Sequence, residues 1–271
     1  MHDFKLVRIN LKHLEDLKEL TPPDWNSDIS LFYKTHGNEK YLHAIGFESD
    51  DQLIACGFAI INDDVAWLGN IVVDNNFRNL GLGTKITSFL IDHCKKVNCA
   101  TILLIATILG EPVYRKLGFQ TESEYIFFRG INNSSLKDEN NFRKITNADH
   151  EIIFKLDFDT CRENRKSLLR KFLNSGLLHQ NSENQIDGFF LPDFGNGFIA
   201  ATNDTAGIRL LQRKHIGIEA TTVVPAKNET AVRYLLENNF REVLRAPRMI
   251  LGNKISWKQE CVFSRAAGYC G

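Results

Sequence analysis

Two patterned halves can be read along the chain from the alternation of apolar and polar positions. In the first, "YLHAIGFES" and "QLIACGFAIIN" are apolar runs of strand type separated by a pair of aspartates, which predicts a hairpin. "VAWLGNIVVD" follows as a third long strand. Beyond it the period changes. Leu82, Ile86, Phe89, Leu90, Cys94 and Val97 recur at helical spacing while Lys85, Asp92, Lys95 and Lys96 take the other side, so one helix face packs on a sheet. "ATILLIAT" reads as a buried strand, completing a strand–helix–strand crossover with a parallel pair, and a short helix over "EPVYRKL" stops at Gly118.

The second half repeats the end of the first. "TILLIATILGEPVYRKLGF" lies over "TTVVPAKNETAVRYLLENNF" with Phe119 on Phe240 and Gly118 on Asn239, each copy being a strand, a polar break, a short helix and a left-handed cap. Between the copies "INNSSLKDENN" is polar and rich in Asn and Ser, as linkers are. The expected organisation is a domain over residues 1–130, a linker over 131–141 and a second domain over 142–271. The expected fold class is α/β, of the α+β mixed-sheet kind, with helices flanking each sheet.

A length of 271 residues suits two domains, and 43% hydrophobic content with 19 phenylalanines supplies ample core. Basic and acidic residues number 33 each, and no long basic run appears, which disfavours nucleic acid and anionic membranes as partners. The start lacks an apolar segment of signal-peptide length and no run is long enough to span a bilayer, so the expected address is the cytoplasm. Six cysteines form no CxxC pair and match no histidine spacing, so reduced thiols are expected and a metal is not.

The chemistry concentrates in "VVDNNFRNLGLGTKIT", residues 72–87. A strand that runs through Gly-x-Gly into a helix exposes backbone amides at the helix N-terminus, where the dipole favours an anion. Leu80, Gly81, Leu82, Gly83 and Thr84 would aim amides at phosphate oxygens, Asn79 leads into the turn, and Arg78 adds a fork of donors. The Walker pattern fails for want of a Lys-Ser or Lys-Thr after a glycine, and the dinucleotide pattern fails because Ile86 stands where its third glycine belongs.

What remains, Arg-x-x-Gly-x-Gly from Arg78 to Gly83, resembles the pyrophosphate loop of the GNAT acetyltransferases, and "VYRKLGF" resembles that family's second hallmark. "PDWNSDISLFYKTHG", "CRENRKSLLRKFL" and "SRAAGYCG" are similar to a YitH-like subgroup, in which a GNAT domain is joined to a divergent GNAT-like one. The resemblance implies two tandem GNAT-like domains, with acetyl-CoA as cosubstrate of the first and direct attack by an amine in a ternary complex. It implies that the backbone of Ile71, Val72 and Val73 pairs with the pantetheine arm, and that Tyr114 is the general acid, against the alternative of a packing tyrosine. Trp25, Phe32 and Tyr33 come from the region that lines the acceptor site in the family, with core packing as the alternative. Asn70 could orient a water or serve a bulge.

Asp24, Glu48, Asp64 and Asp74 are candidate bases, and a water chain could replace them all. In the second half the matching stretch "GFIAATNDTAGIRLL" lacks the arginine and paired glycines, and Leu235 stands where Tyr114 would be, so loss of CoA binding is expected there. That half would cover the sheet and help form the acceptor pocket, through "FSRAAGYCG" or through Arg245 and Arg248. The expected acceptor is a small primary amine. Rival readings are an acyl-CoA-binding sensor without catalysis, or a peptide or protein lysine as acceptor. The assembly is expected to be a monomer or homodimer.

Overall fold

The computed structural model describes residues 4–23, 25, 27–132 and 141–271. Asp24 and most of the expected linker, residues 133–140, lie outside the described residues. The chain forms two compact units, one made of Met1–Gln120, Met249–Asn253 and Gly268–Cys270, the other of Thr121–Arg248, Lys254–Ala267 and Gly271.

In the first unit the elements run β1 (Lys5–Arg8), α1 (Leu14–Leu20), α2 (Ile29–His36), β2 (Leu42–Ser49), β3 (Gln52–Asn62), β4 (Val65–Val73), α3 (Leu82–Lys96), β5 (Thr101–Ile105) and α4 (Glu111–Lys116). The sheet order is β1-β2-β3-β4-β5. Strands β1 to β4 are antiparallel, and β4 and β5 are parallel across the α3 crossover. Asp50 and Asp51 both adopt positive φ, which gives the β2–β3 hairpin a turn whose twist matches its strands. Residues Met249–Asn253 lie against the end of β5, where Thr101 Oγ1 donates to the Asn253 carbonyl at 2.8 Å.

One face of this sheet packs on α3. Leu82, Ile86, Leu90 and Cys94 are buried with Ile45, Ala55, Ala59, Leu68, Ile102 and Leu104, as the helical period predicts. The stripe is narrower than expected. Phe89 is 43% exposed, leaning on Phe47 at 6.4 Å, and Val97 is the cap beyond the last turn. The other face carries α2, whose Phe32 and Tyr33 rings lie 5.8 and 6.0 Å from Phe58 of β3.

The remaining elements are β6 (Gln120–Gly130), β7 (Phe142–Lys144), α5 (His150–Cys161), α6 (Lys166–Leu169), β8 (Leu177–Gln180), β9 (Ile186–Leu191), β10 (Phe198–Ala201), α7 (Asp204–His215), β11 (Ala220–Pro225), α8 (Glu229–Glu237), β12 (Arg241–Gly252) and β13 (Val262–Ser264), and all save Gln120 of β6 and residues 249–252 of β12 lie in the second unit. Its sheet order β13-β10-β9-β8-β7 covers α7, and β6 lies between β12 and β11. Phe128, Leu210, Val224, Leu235, Phe240 and Phe263 share one core. The repeat is visible in both units: Gly118 and Asn239 take the left-handed cap at φ +93° and +64°, and Phe119 and Phe240 are buried behind them.

Candidate active site

Two irregularities in β4 build the site. Along β3, Phe58 pairs with Gly69 and Cys56 with Val72, so Asn70 and Ile71 together face the single residue Gly57. This is a β-bulge, and Asn70 carries it with φ +51°, a conformation that asparagine tolerates better than most residues. Cys56 Sγ donates to the Asn70 carbonyl at 3.3 Å and holds the bulge from behind. On the other edge, pairing of β4 with β5 ends at Trp67 and Leu103. Past that point the β5-facing edge of β4, from Gly69 to Val73, has no strand partner in β5. Ile71, Val72 and Val73 lie on this stretch, Val72 buried and the other two half-buried.

At the end of this strand Asp74 caps a 3-10 turn over Asn75–Phe77, accepting from the Asn76 amide at 2.8 Å. Arg78 is exposed and its Nε donates to the Val73 carbonyl at 3.4 Å. Asn79 and Gly81 both have positive φ, +63° and +78°, turning the chain sharply into α3. Gly81 is the N-cap and supplies no side-chain bond to the helix. A Cβ built on it meets nothing within 4 Å, and one on Gly83 comes only as near as 3.7 Å to Val73 Cγ2. The 15-residue helix thus begins at the surface, with Leu80, Gly81 and Thr84 exposed, Gly83 half-buried and Leu82 turned into the core.

Tyr114, on α4, is 8% exposed and packs edge-on against Phe119 at 6.0 Å. Its ring lies over Gly110, so close that a Cβ there would stand 2.8 Å from Tyr114 Cε2 and 3.2 Å from the hydroxyl. Burial pushes the phenol up to about 12, so it keeps its proton throughout the neutral range. The geometry shows a packed side chain whose hydroxyl stays protonated at neutral pH.

The acceptor-side candidates separate. Phe32 stacks on His36 at 4.6 Å and meets the tilted ring of Tyr269 at 4.4 Å. The Tyr33 hydroxyl donates to the Ile9 carbonyl at 2.7 Å, which gives that side chain a structural duty, and burial raises its pKa. Trp25 is half-buried, with its amide on the Pro22 carbonyl at 3.0 Å. Among the candidate bases, Glu48 is bound by Lys12 at 2.8 Å and His13 at 2.9 Å, and these bonds hold its carboxyl below the usual range, the wrong direction for a base. Asp64 precedes β4 at its far end, about 20 Å from Asn70 at 3.3 Å per residue. Asp74 is spent on its cap.

Sequence reasoning did not single out Gly69 and Gly110, and it named Tyr269 only as part of the terminal stretch "FSRAAGYCG". A glycine inside a strand signals close approach by another segment, and that rule would have found Gly69. In the second unit Arg245 is exposed and pairs with Glu242 and Glu124, while Arg248 is buried against Glu122 and the Trp257 ring. All six cysteines are free. Among the described residues no helix is long and apolar enough to cross a membrane, and no group of three His, Cys, Asp or Glu could hold a metal.

Comparison with known proteins bears on the first unit most directly. Residues 11–119 match the acetyltransferase (GNAT) family model. Glucosamine 6-phosphate N-acetyltransferase of Arabidopsis thaliana is 27% identical over 97 residues, 33% of this chain and 65% of its own length. The chain thus spans just under two thirds of that relative. A Pyrococcus horikoshii structure described as an acetyltransferase superposes with a TM-score of 0.84 at 17% identity, over 99% of this chain and 96% of that one. A GCN5-related N-acetyltransferase from Sphaerobacter thermophilus gives 0.64 at 13% identity, over 95% and 98%. At these identities the structures establish the fold.

Proposed function

We propose that this chain, whose residues 11–119 form a GNAT-family acetyltransferase domain, is an N-acetyltransferase that moves an acetyl group from acetyl-CoA to a primary amine of a small metabolite. The observation that carries the reading is the continuity of three features. β4 leaves β5 after Trp67, the unpaired edge runs through the Asn70 bulge and Ile71–Val73, and the chain then turns into the N-terminus of α3, where Gly81 supplies no side-chain cap. A thioester with a pantetheine arm and a diphosphate has the length and polarity order of that path. Amides from Gly81 to Thr84, with Arg78, would hold the diphosphate, and the Ile71–Val73 backbone would hold the arm.

Acetyl-CoA supplies the acetyl group already activated as a thioester. The chain's part is to align an amine nitrogen with the carbonyl carbon so that the C–N bond forms as the C–S bond breaks. The nitrogen's proton leaves to water, and the sulfur takes the departing electron pair and a proton. A phenol at about 12 is a weaker acid than a thiol near 8.5, so full transfer from Tyr114 runs uphill by about 5 kcal/mol. Donating a hydrogen bond to the developing thiolate avoids that cost, and water completes the protonation. Asn70, at the bulge, would place the water that accepts the amine proton.

The reading assigns acetyl-CoA to residues 1–130 and withholds it from residues 142–271. In the second unit the matching helix α7 is closed by Asn203, whose side chain accepts from the Ala206 amide at 2.9 Å, and Asp204 adds negative charge to its first turn. Leu235 replaces the phenol and is fully buried. The test joins two measurements. Acetyl-CoA at about a hundred times its dissociation constant should add about 2.7 kcal/mol to stability. CoA thiol should then appear only when an amine is present. Stabilisation without amine-dependent thiol would instead mark a binding module.

A further inference from the structure

Gly69 pairs with Phe58 across β3 and β4, so its absent side chain points to the same face as the Phe58 ring, the face that carries α2. A Cβ on Gly69 would stand 2.7 Å from the Cβ of Tyr269 and 3.1 Å from its Cα. The backbone of the segment Gly268–Cys270, which belongs to the first compact unit, therefore lies directly on β4, and glycine is what admits it. The contact falls two residues past the last β4–β5 pair and one residue before the bulge. Across the sheet, the α3 face is closed off: a Cβ on Gly57 would meet Ile86 Cγ2 at 2.4 Å.

Tyr269 thus lies on the α2 face of β4, beside the stretch of that strand that has no partner in β5. Its half-buried ring tilts 53° to Phe32 at 4.4 Å, and Phe32 continues the wall through Phe58 and His36. Behind it, His36 Nδ1 is engaged by the Tyr41 hydroxyl at 2.7 Å. Phe32, Phe58 and His36 are buried, so the half-buried Tyr269 is the ring of this cluster that keeps surface for a ligand. Ring faces are matched by another flat ring, stacked or edge-on, or by the C–H face of a sugar ring, more than by an open chain. We propose that Tyr269 determines specificity on the acceptor side, and that the acceptor is a primary amine bearing a ring that rests on Tyr269. The inference rests on the acetyltransferase reading above.

The test measures steady-state acetylation with three amines, 2-phenylethylamine, glucosamine 6-phosphate and n-butylamine, while titrating acetyl-CoA separately. At least one ring-bearing amine should exceed n-butylamine in kcat/KM by ten-fold or more, and which of the two does so tells an aryl from a sugar ring. Tyr269→Ala should raise KM for that amine at least ten-fold through loss of the ring contact, with the acetyl-CoA dissociation constant within two-fold. Tyr269→Phe should restore KM. Tyr269→Leu, which keeps bulk near β4 and guards against a folding defect, should behave as Tyr269→Ala does. An unchanged KM in Tyr269→Ala, full function in Tyr269→Leu, or equal use of all three amines overturns this inference alone. Absence of amine-dependent thiol release by the unaltered chain overturns the acetyltransferase reading with it.

Discussion

Gly110→Ala tests how tightly the fold holds Tyr114. The backbone at Gly110 is ordinary helical, φ −82° and ψ −33°, so alanine costs nothing in conformation and acts by volume alone. Its methyl would lie 2.8 Å from Cε2 and 3.2 Å from both Cζ and the hydroxyl of Tyr114. Ordinary carbon contacts are about 3.5 to 4.0 Å, so the ring must retreat by about 1 Å. Retreat is resisted, because the ring is 8% exposed and backed by Phe119 at 6.0 Å. Overpacking of this kind costs about 1–3 kcal/mol of stability. A 1 Å displacement of a catalytic group lowers turnover by up to about a hundred-fold. Thiol-release kinetics at saturating acetyl-CoA should therefore show kcat reduced about ten- to a hundred-fold, with acetyl-CoA affinity kept. In a Tyr114→Phe background, itself slowed, the same alanine should cause little further loss. Full kcat in Gly110→Ala, or additive losses in the double variant, would refute a role for the placed phenol.

Gly81→Asp puts a carboxylate beside the amides at the start of α3, where a built Cβ has open space. Calorimetric titration should show acetyl-CoA affinity reduced ten-fold or more, and part of that loss should be relieved at high salt. His43 and His93 stack with centroids 3.5 Å apart, and burial, then the neighbouring ring, then Arg8 push His43 down to about 4, while burial, Lys96 and Arg8 lower His93. A histidine depressed from 6.5 is unpenalised above pH 6.5, and its contribution is lost as pH falls through 4. The unfolding free energy from urea titration should drop across that window by up to about 3 kcal/mol, and His43→Phe should flatten the slope. Lys214 in the second unit is buried, bonded to Thr222 and Ser264 at 2.8 Å each, and burial then Arg265 push it to about 7. Stability should consequently rise between pH 7 and 10 by up to about 4 kcal/mol, and Lys214→Met should abolish the rise, as read by urea unfolding.

Local periodicity made much of the first unit legible. The Asp50–Asp51 turn, the α3 stripe from Leu82 to Cys94 and the cap at Gly118 each depend on residues within a few positions, so the sequence pattern carries them. The parallel pairing of β4 and β5 followed from the helix between them. The bulge was less visible, since one extra residue in nine leaves the apolar pattern of β4 almost unchanged. What no local pattern carries is assembly at long range. Residues 249–253 and 268–270 join the first unit, and Tyr269 meets Gly69 across some two hundred positions. Tyr33 and Phe32 are neighbours in the same apolar run, yet one is tied to the Ile9 carbonyl and the other faces Tyr269. The sharp entry into α3 was legible from Arg78 to Gly83, because a glycine between a strand and a helix signals a left-handed turn, and Gly81 takes φ +78° there.

The central claim is that backbone amides at the start of α3 bind the diphosphate of acetyl-CoA. Amide-resolved NMR of the full chain during an acetyl-CoA titration tests it most directly. Saturable shifts and slowed exchange at Gly81, Gly83 and Thr84, with Asp204 and Thr205 of α7 undisturbed, are the predicted result. Amides at positions 81–84 that stay unchanged while acetyl-CoA binds elsewhere, or does not bind at all, would contradict it.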